Sequence, residues 1–162
     1  METVSVFWFR RDLRLEDNAG LWKALTSGHA VLPIFVFDRN ILDKLEDRSD
    51  ARVSFLHDRI TALDQELQAL GSSLKVFYGT PMEAMEALSG AFYVRGVYLN
   101  RDYDPYASAR DTEVFEYWKA KDVAVVGAKD HVIFEKDEVV KADGTPYLVF
   151  SPYAKMWRKQ LD

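Results

Sequence analysis

A chain of 162 residues that is 48% hydrophobic holds enough apolar material for one globular core, since a domain of this size buries roughly 70% of its unfolded surface. With 26 acidic against 21 basic residues and a net charge of -5, it lacks the basic stripe by which a domain grips nucleic-acid phosphates. There is no cysteine, which excludes disulfides and thiolate chemistry and fits a cytoplasmic protein. No apolar run of about 18 residues and no leader pattern is present, so neither a membrane span nor a signal peptide is expected.

The chain opens with strand-forming residues from Thr3 to Phe9, with Ser5 the weak fit. A run so continuously apolar belongs in the centre of a parallel sheet. It turns abruptly into Arg10-Arg11-Asp12-Leu13-Arg14. These arginines either pair with the local carboxylates Asp12, Glu16 and Asp17 or face a ligand. Asn18 caps a short helix over residues 19–27 that Gly28 stops. Residues 30–37 form a second strand, weakened near its start by Pro33, and residues 39–50 form an exposed connection.

Ser49 is expected to cap a long helix. Val53, Leu56, Ile60, Leu63, Leu67 and Leu70 give it one apolar stripe, with Gly71 beyond its end. A third strand spans residues 74–78. Thr80 and Glu83 form a capping box with Pro81 at the first helical position, opening a helix that ends near Gly90. A fourth strand is predicted over 96–99. A helix over 107–119 follows with Val114, Phe115 and Trp118 inward, then a fifth strand over 123–126.

Residues 132–140 and 147–150 flank a turn-rich segment that would close a hairpin. A helix then opens at Ser151-Pro152 and has barely begun at Asp162. Alternating strands and helices predict an α/β fold: a doubly wound, Rossmann-like, five-stranded parallel sheet with helices on both faces. Residues 1–130 form this domain, and residues 131–162 are a hairpin-like extension and the start of a linker.

Phosphate-cradling glycine loops, a G-x-S-x-G nucleophile turn and a histidine ligand spacing are all absent from the sequence, so no catalytic or metal site is predicted. What remains is a ring of strand-end residues. If strands one, two and four are neighbours, their loops gather Arg10, Phe37, Asp38, Asn100, Asp102 and Tyr103 at the sheet's switch point, where such folds bind ligands. Arg52, against the dipole preference for a first helical turn, would look into the same crevice, facing a planar or anionic ligand or paired with Asp38 or Asp102.

The segment from Phe7 to Asn18 (FWFRRDLRLEDN) resembles the opening signature of the DNA photolyase and cryptochrome family. The similarity continues through residues 33–38 (PIFVFD), 51–56 (ARVSFL) and 78–81 (YGTP). It extends to residues 100–106 (NRDYDPY) with Arg110 and Asp111, and to the closing stretch from Tyr147 to Trp157.

The resemblance implies the N-terminal antenna domain of a longer protein. An absent helical domain would hold FAD and meet damaged DNA, and this domain would contact it within the same molecule. The implied parent is a deoxyribodipyrimidine photo-lyase that reverses cyclobutane pyrimidine dimers by light-driven electron transfer from reduced FAD. The alternative is a cryptochrome-type blue-light receptor. The 162-residue chain alone is expected to be inactive. Folate-binding members carry a glutamate where Ala107 stands, whereas Arg52 and Asp102 match members with a flavin-like antenna. The resemblance therefore favours a flavin or deazaflavin chromophore over methenyltetrahydrofolate.

Overall fold

Six consecutive residues, Val4 to Phe9, are buried, because the strand they end has a parallel neighbour on each side. In the computed structural model, which describes residues 1–47 and 49–161, β1 (Glu2–Phe9) pairs with β2 (Ala30–Asp38) and with β4 (Phe92–Asn100). The five-stranded sheet has the order β3-β2-β1-β4-β5, with β3 spanning Lys75–Gly79 and β5 Ala124–Ala128. All its pairings are parallel. The chain winds outward from β1 to β3, then returns to β4 on the other side of β1. The switch point expected from the sequence therefore lies at the C-terminal end of β1.

Each face of the sheet carries its own core. On one face, α1 (Ala19–Leu25) and α3 (Ala51–Ala69) bury Leu21, Ile60, Leu63 and Leu67 against Phe7, Phe9 and Phe35. On the other, α4 (Pro81–Ala91) and α5 (Pro105–Lys119) bury Met85, Leu88, Val114 and Trp118 against Val6, Trp8, Ile34 and Val97. Alternating side chains of β1 thus serve both layers.

The capping box of Thr80 and Glu83 and the Asn18 cap form as predicted. Ser5 fits because its hydroxyl is hydrogen-bonded to that of Ser27 at 2.8 Å. Pro33 is tolerated because β3 begins to pair only at Ile34, leaving β2 one-sided there.

Several predicted details are corrected. The cap of α3 is Asp50, not Ser49; its carboxylate accepts from Arg52 N. Leu70 falls outside the stripe, as the exposed residue that ends the helix. β4 begins at Phe92 with no loop after α4, and Arg95 is skipped in its register with β1, where Val4 faces Val94 and Ser5 faces Gly96. That bulge lets Val94 and Val97 enter the same core. Phe115 is 43% exposed; Ala107 turns inward instead. The connection after β2 contains a short helix, α2 (Arg39–Leu42), capped by Asp38.

The chain divides into two compact units, Met1–His131 and Val132–Asp162. In the second, the expected hairpin does not form. Lys141 N donates to Thr145 O and Gly144 N to Lys141 O, both at 2.9 Å, so the turn exists. The segments beside it do not pair: one contains a 3-10 turn at Lys136–Glu138 and the other runs into α6 (Phe150–Leu161). Gln160 donates to Glu138 O at 2.7 Å, and Phe134 packs edge-on against Trp157 at 5.5 Å. Asp162 lies outside the described residues.

Candidate functional site

The C-terminal ends of β1 and β2 and the loops that follow β1 and β4, together with α2 and the first two turns of α3 and α5, line a crevice of about 700 Å³, within the range of small-molecule sites. Its walls are apolar and largely aromatic: Trp8, Phe9, Phe35 and Phe37 from the sheet, Ile41 and Leu42 from α2, Phe55 and Leu56 from α3. Phe55 is 73% and Ile41 46% exposed, so the mouth leaves apolar surface in water. Arg10, Arg11, Lys44, Arg110, Asp38, Asp102, Asp104 and Tyr106 supply the polar lining.

The arginines after β1 do not pair with the carboxylates beside them in sequence. Arg10 is 8% exposed; its Nη1 donates to both oxygens of Asp111, at 2.5 and 2.7 Å, and its Nη2 to Asn100 O. Arg11 Nε reaches Asp102 at 2.8 Å and Arg14 Nη2 reaches Asp130 at 2.8 Å. The partners come from the far side of the switch point because Asp12 is already engaged. Asp12 accepts from Arg10 N at 2.8 Å and from Asn100 Nδ2 at 2.5 Å.

Asp38 caps α2 through Asn40 N at 3.0 Å and accepts from the Tyr106 hydroxyl at 2.5 Å. Burial and the adjacent Asp38 push the Tyr106 phenol above its ordinary value. Asp102 is opposed by burial, but the Asp104 N–H, the Arg11 guanidinium and the Tyr103 N–H together hold it below the usual carboxylate range. The crevice therefore presents carboxylates and cations set against its aromatic walls, with Arg11 and Asp102 paired directly at 2.8 Å.

Of the seven residues the sequence nominated, Arg10, Phe37, Asp38 and Asp102 line the crevice. Asn100 does not: it is 1% exposed and ties Asp12, Asn18 and Gly20 together beneath the site. Tyr103 sits half-buried on the loop after β4, outside the lining, with its N–H on Asp102. Arg52 turns away from the crevice onto its own helix cap, with Nη2 at 2.5 Å from Asp50, and stays 79% exposed. The correction has a local cause: the cap carboxylate two residues back is closer than Asp38 or Asp102 and is drawn down to a pKa of about 2 by the pairing. Sequence reasoning missed Trp8, Lys44, Tyr106 and Arg110. The aromatic–aromatic–basic alternation Trp8-Phe9-Arg10 and the i, i+4 pair Tyr106–Arg110 were the available signals.

Comparison with known proteins agrees with this architecture. The DNA photolyase family model matches residues 5–162. The deoxyribodipyrimidine photo-lyase of Synechococcus is 34% identical over 160 residues, covering 99% of this chain and 33% of that protein. Cryptochrome-2 of Arabidopsis thaliana is 30% identical over 165 residues, covering 100% of this chain and 26% of that protein. The solved archaeal photolyase of Sulfolobus tokodaii, which contains two FAD molecules, superposes with a TM-score of 0.73 at 32% identity, over 85% of this chain and 32% of that one. The chain thus spans about a third of the length of the relatives it matches, and with a family model covering nearly its whole length it belongs to the DNA photolyase family.

Proposed function

We propose that this chain is the antenna domain of a deoxyribodipyrimidine photolyase, and that the crevice at the end of β1 holds a flavin-class chromophore. The observation that carries the reading is the lining. Aromatic walls suit a planar ring, and Asp38, Asp102 and Tyr106 in the same lining offer hydrogen-bonding atoms to the heteroatoms of its edge. Arg11 and Lys44 offer cations to an anionic tail. A ligand there would cover Phe55 and Ile41, whose exposure is otherwise unfavourable. The two FAD molecules of the Sulfolobus tokodaii photolyase support the same reading. Ala107, 2% exposed on the crevice wall where folate-binding members carry glutamate, supports a flavin or deazaflavin over methenyltetrahydrofolate.

When bound, the chromophore supplies absorption of blue or near-ultraviolet light and passes the excitation on. The chain's residues bind, orient and dry it. Phe37 and Phe55 supply apolar surface that excludes water. Asp38 and Asp102 each take one side-chain donor from the chain itself, Tyr106 and Arg11, and have lone pairs left over for a ligand. No proton transfer is required of any of them. In the whole protein, a helical domain would hold FAD and receive the excitation, repair cyclobutane pyrimidine dimers in DNA, and pack against this domain.

The similarity to cryptochrome-2 favours a second reading, the same domain in a blue-light receptor. The 162-residue chain alone is expected to leave dimers intact under light, in either case. Titration with riboflavin, FMN and a 5-deazaflavin tests the antenna reading: saturable binding that quenches or shifts the chromophore's fluorescence is expected, and absence of any binding would contradict it.

A further inference from the structure

Trp8 is 2% exposed yet contributes to the crevice wall. Two guanidiniums stand over its ring, Arg110 at 4.9 Å and Arg10 at 5.3 Å from the centroid. Both are held by one carboxylate, Asp111, at 2.5 Å from Arg10 and 3.0 Å from Arg110. Over the ring, two guanidiniums share this single carboxylate, while the buried Asp12 nearby is bonded to the Arg10 N–H and to Asn100 instead. Arginine cannot give up its proton.

Of the aromatic side chains, indole gives up one electron most easily without also losing a proton, and a photoexcited flavin is a strong one-electron oxidant. An indole beside such a chromophore is ordinarily a quencher: one electron leaves the indole, which becomes a radical cation, and enters the flavin, which is reduced by one electron. The electron later returns and the excitation is lost as heat, with no bond made or broken.

We propose that the Arg10–Asp111–Arg110 cluster shields Trp8 from oxidation by a photoexcited chromophore in the crevice, so that the excitation survives long enough to be passed on. The proposal rests on the crevice being a flavin site. Its physical basis is a change of sign. In the ground state the ring face attracts the two cations. Once the indole carries a positive charge, the same cations repel it across a short distance in a medium of low dielectric constant. The guanidiniums therefore raise the cost of the one step that would make Trp8 a quencher, while leaving it free to pack.

The test is the fluorescence lifetime of FMN bound to the chain at verified saturation. Arg110→Gln should shorten the lifetime roughly two- to tenfold by removing one charge next to the ring. Arg110→Lys, which keeps the charge, should retain the native value. Adding Trp8→Phe to Arg110→Gln should restore it, which a purely structural role for Arg110 would not do. Circular dichroism reports folding, and Arg110→Met replaces the glutamine variant should that one misfold. An unchanged lifetime in the charge-removed variant at full occupancy overturns the proposal, as does shortening that persists in the double variant. Failure of the native chain to bind FMN instead removes the flavin reading, and this proposal with it.

Discussion

The hydroxyl of Tyr106 donates to a carboxylate oxygen of Asp38 at 2.5 Å, joining the first turn of α5 to the end of β2 over the end of β1 that lies between them. The bond fixes one lip of the crevice and places the Tyr106 ring under two cations, Lys44 at 5.7 Å and Arg110 at 5.8 Å. Tyr106→Phe is predicted to lower stability by about 0.5–1.5 kcal/mol, read by denaturant unfolding at neutral pH.

The same phenol sets an alkaline dependence. Its pKa is raised above 10.0, first by burial and then by Asp38, so the folded state favours the neutral form. That contribution is complete below the unfolded value of about 10 and is lost as pH rises through the folded value. Unfolding midpoints of the native chain should fall above about pH 10 by more than those of Tyr106→Phe.

Asp102 sets the acid limb. Burial opposes its ionisation, but the Asp104 N–H, Arg11 and the Tyr103 N–H prevail and depress its pKa. Its contribution is present above the unfolded value of about 4 and is lost as pH falls through the lower folded value. Arg11→Ala should move the Asp102 carboxyl titration, followed by NMR, upward toward the ordinary value. Since Arg11 is 66% exposed, the change should cost no more than about 1 kcal/mol at neutral pH.

Beneath the site, Gly20 N donates to Asn100 Oδ1 at 2.8 Å, and a Cβ on Gly20 would stand 2.6 Å from that oxygen and 2.9 Å from the Phe7 ring. Gly20→Ala is therefore predicted to destabilise the chain by about 1–3 kcal/mol through overpacking. The measurement is the thermal unfolding midpoint.

Arg52→Ala should leave flavin affinity within about twofold, because an exposed pair with Asp50 does little beyond its own helix turn. Fluorescence titration of this variant beside Arg11→Ala separates an arginine at the crevice from one outside it.

The elements with local signals were readable from sequence. The capping box at Thr80, the Asn18 cap and the apolar run from Val4 to Phe9 each depend on residues a few positions apart. The strand ends that bracket the crevice followed from alternation and topology. What escaped depends on partners far away in sequence. Arg10 could not be assigned to Asp111, 101 positions later, before the register of β1 and β4 was known. Nor could Trp8 be seen as a ring flanked by Arg10 and Arg110. Arg52 was misdirected because the nearest competitor, Asp50, was overlooked as the helix cap. The hairpin failed because its flanks prefer local helical turns to pairing.

The central claim is that the crevice between β1, β2 and β4 binds a flavin-class chromophore. It is tested most directly by titrating FMN and methenyltetrahydrofolate into the native chain and into Phe37→Glu, which places an unpaired carboxylate in the aromatic wall. Saturable FMN binding is expected, tighter than that of the folate and weakened at least about tenfold in Phe37→Glu while the fold is retained. Equal FMN affinity in the two proteins, or tighter binding of the folate, would contradict it.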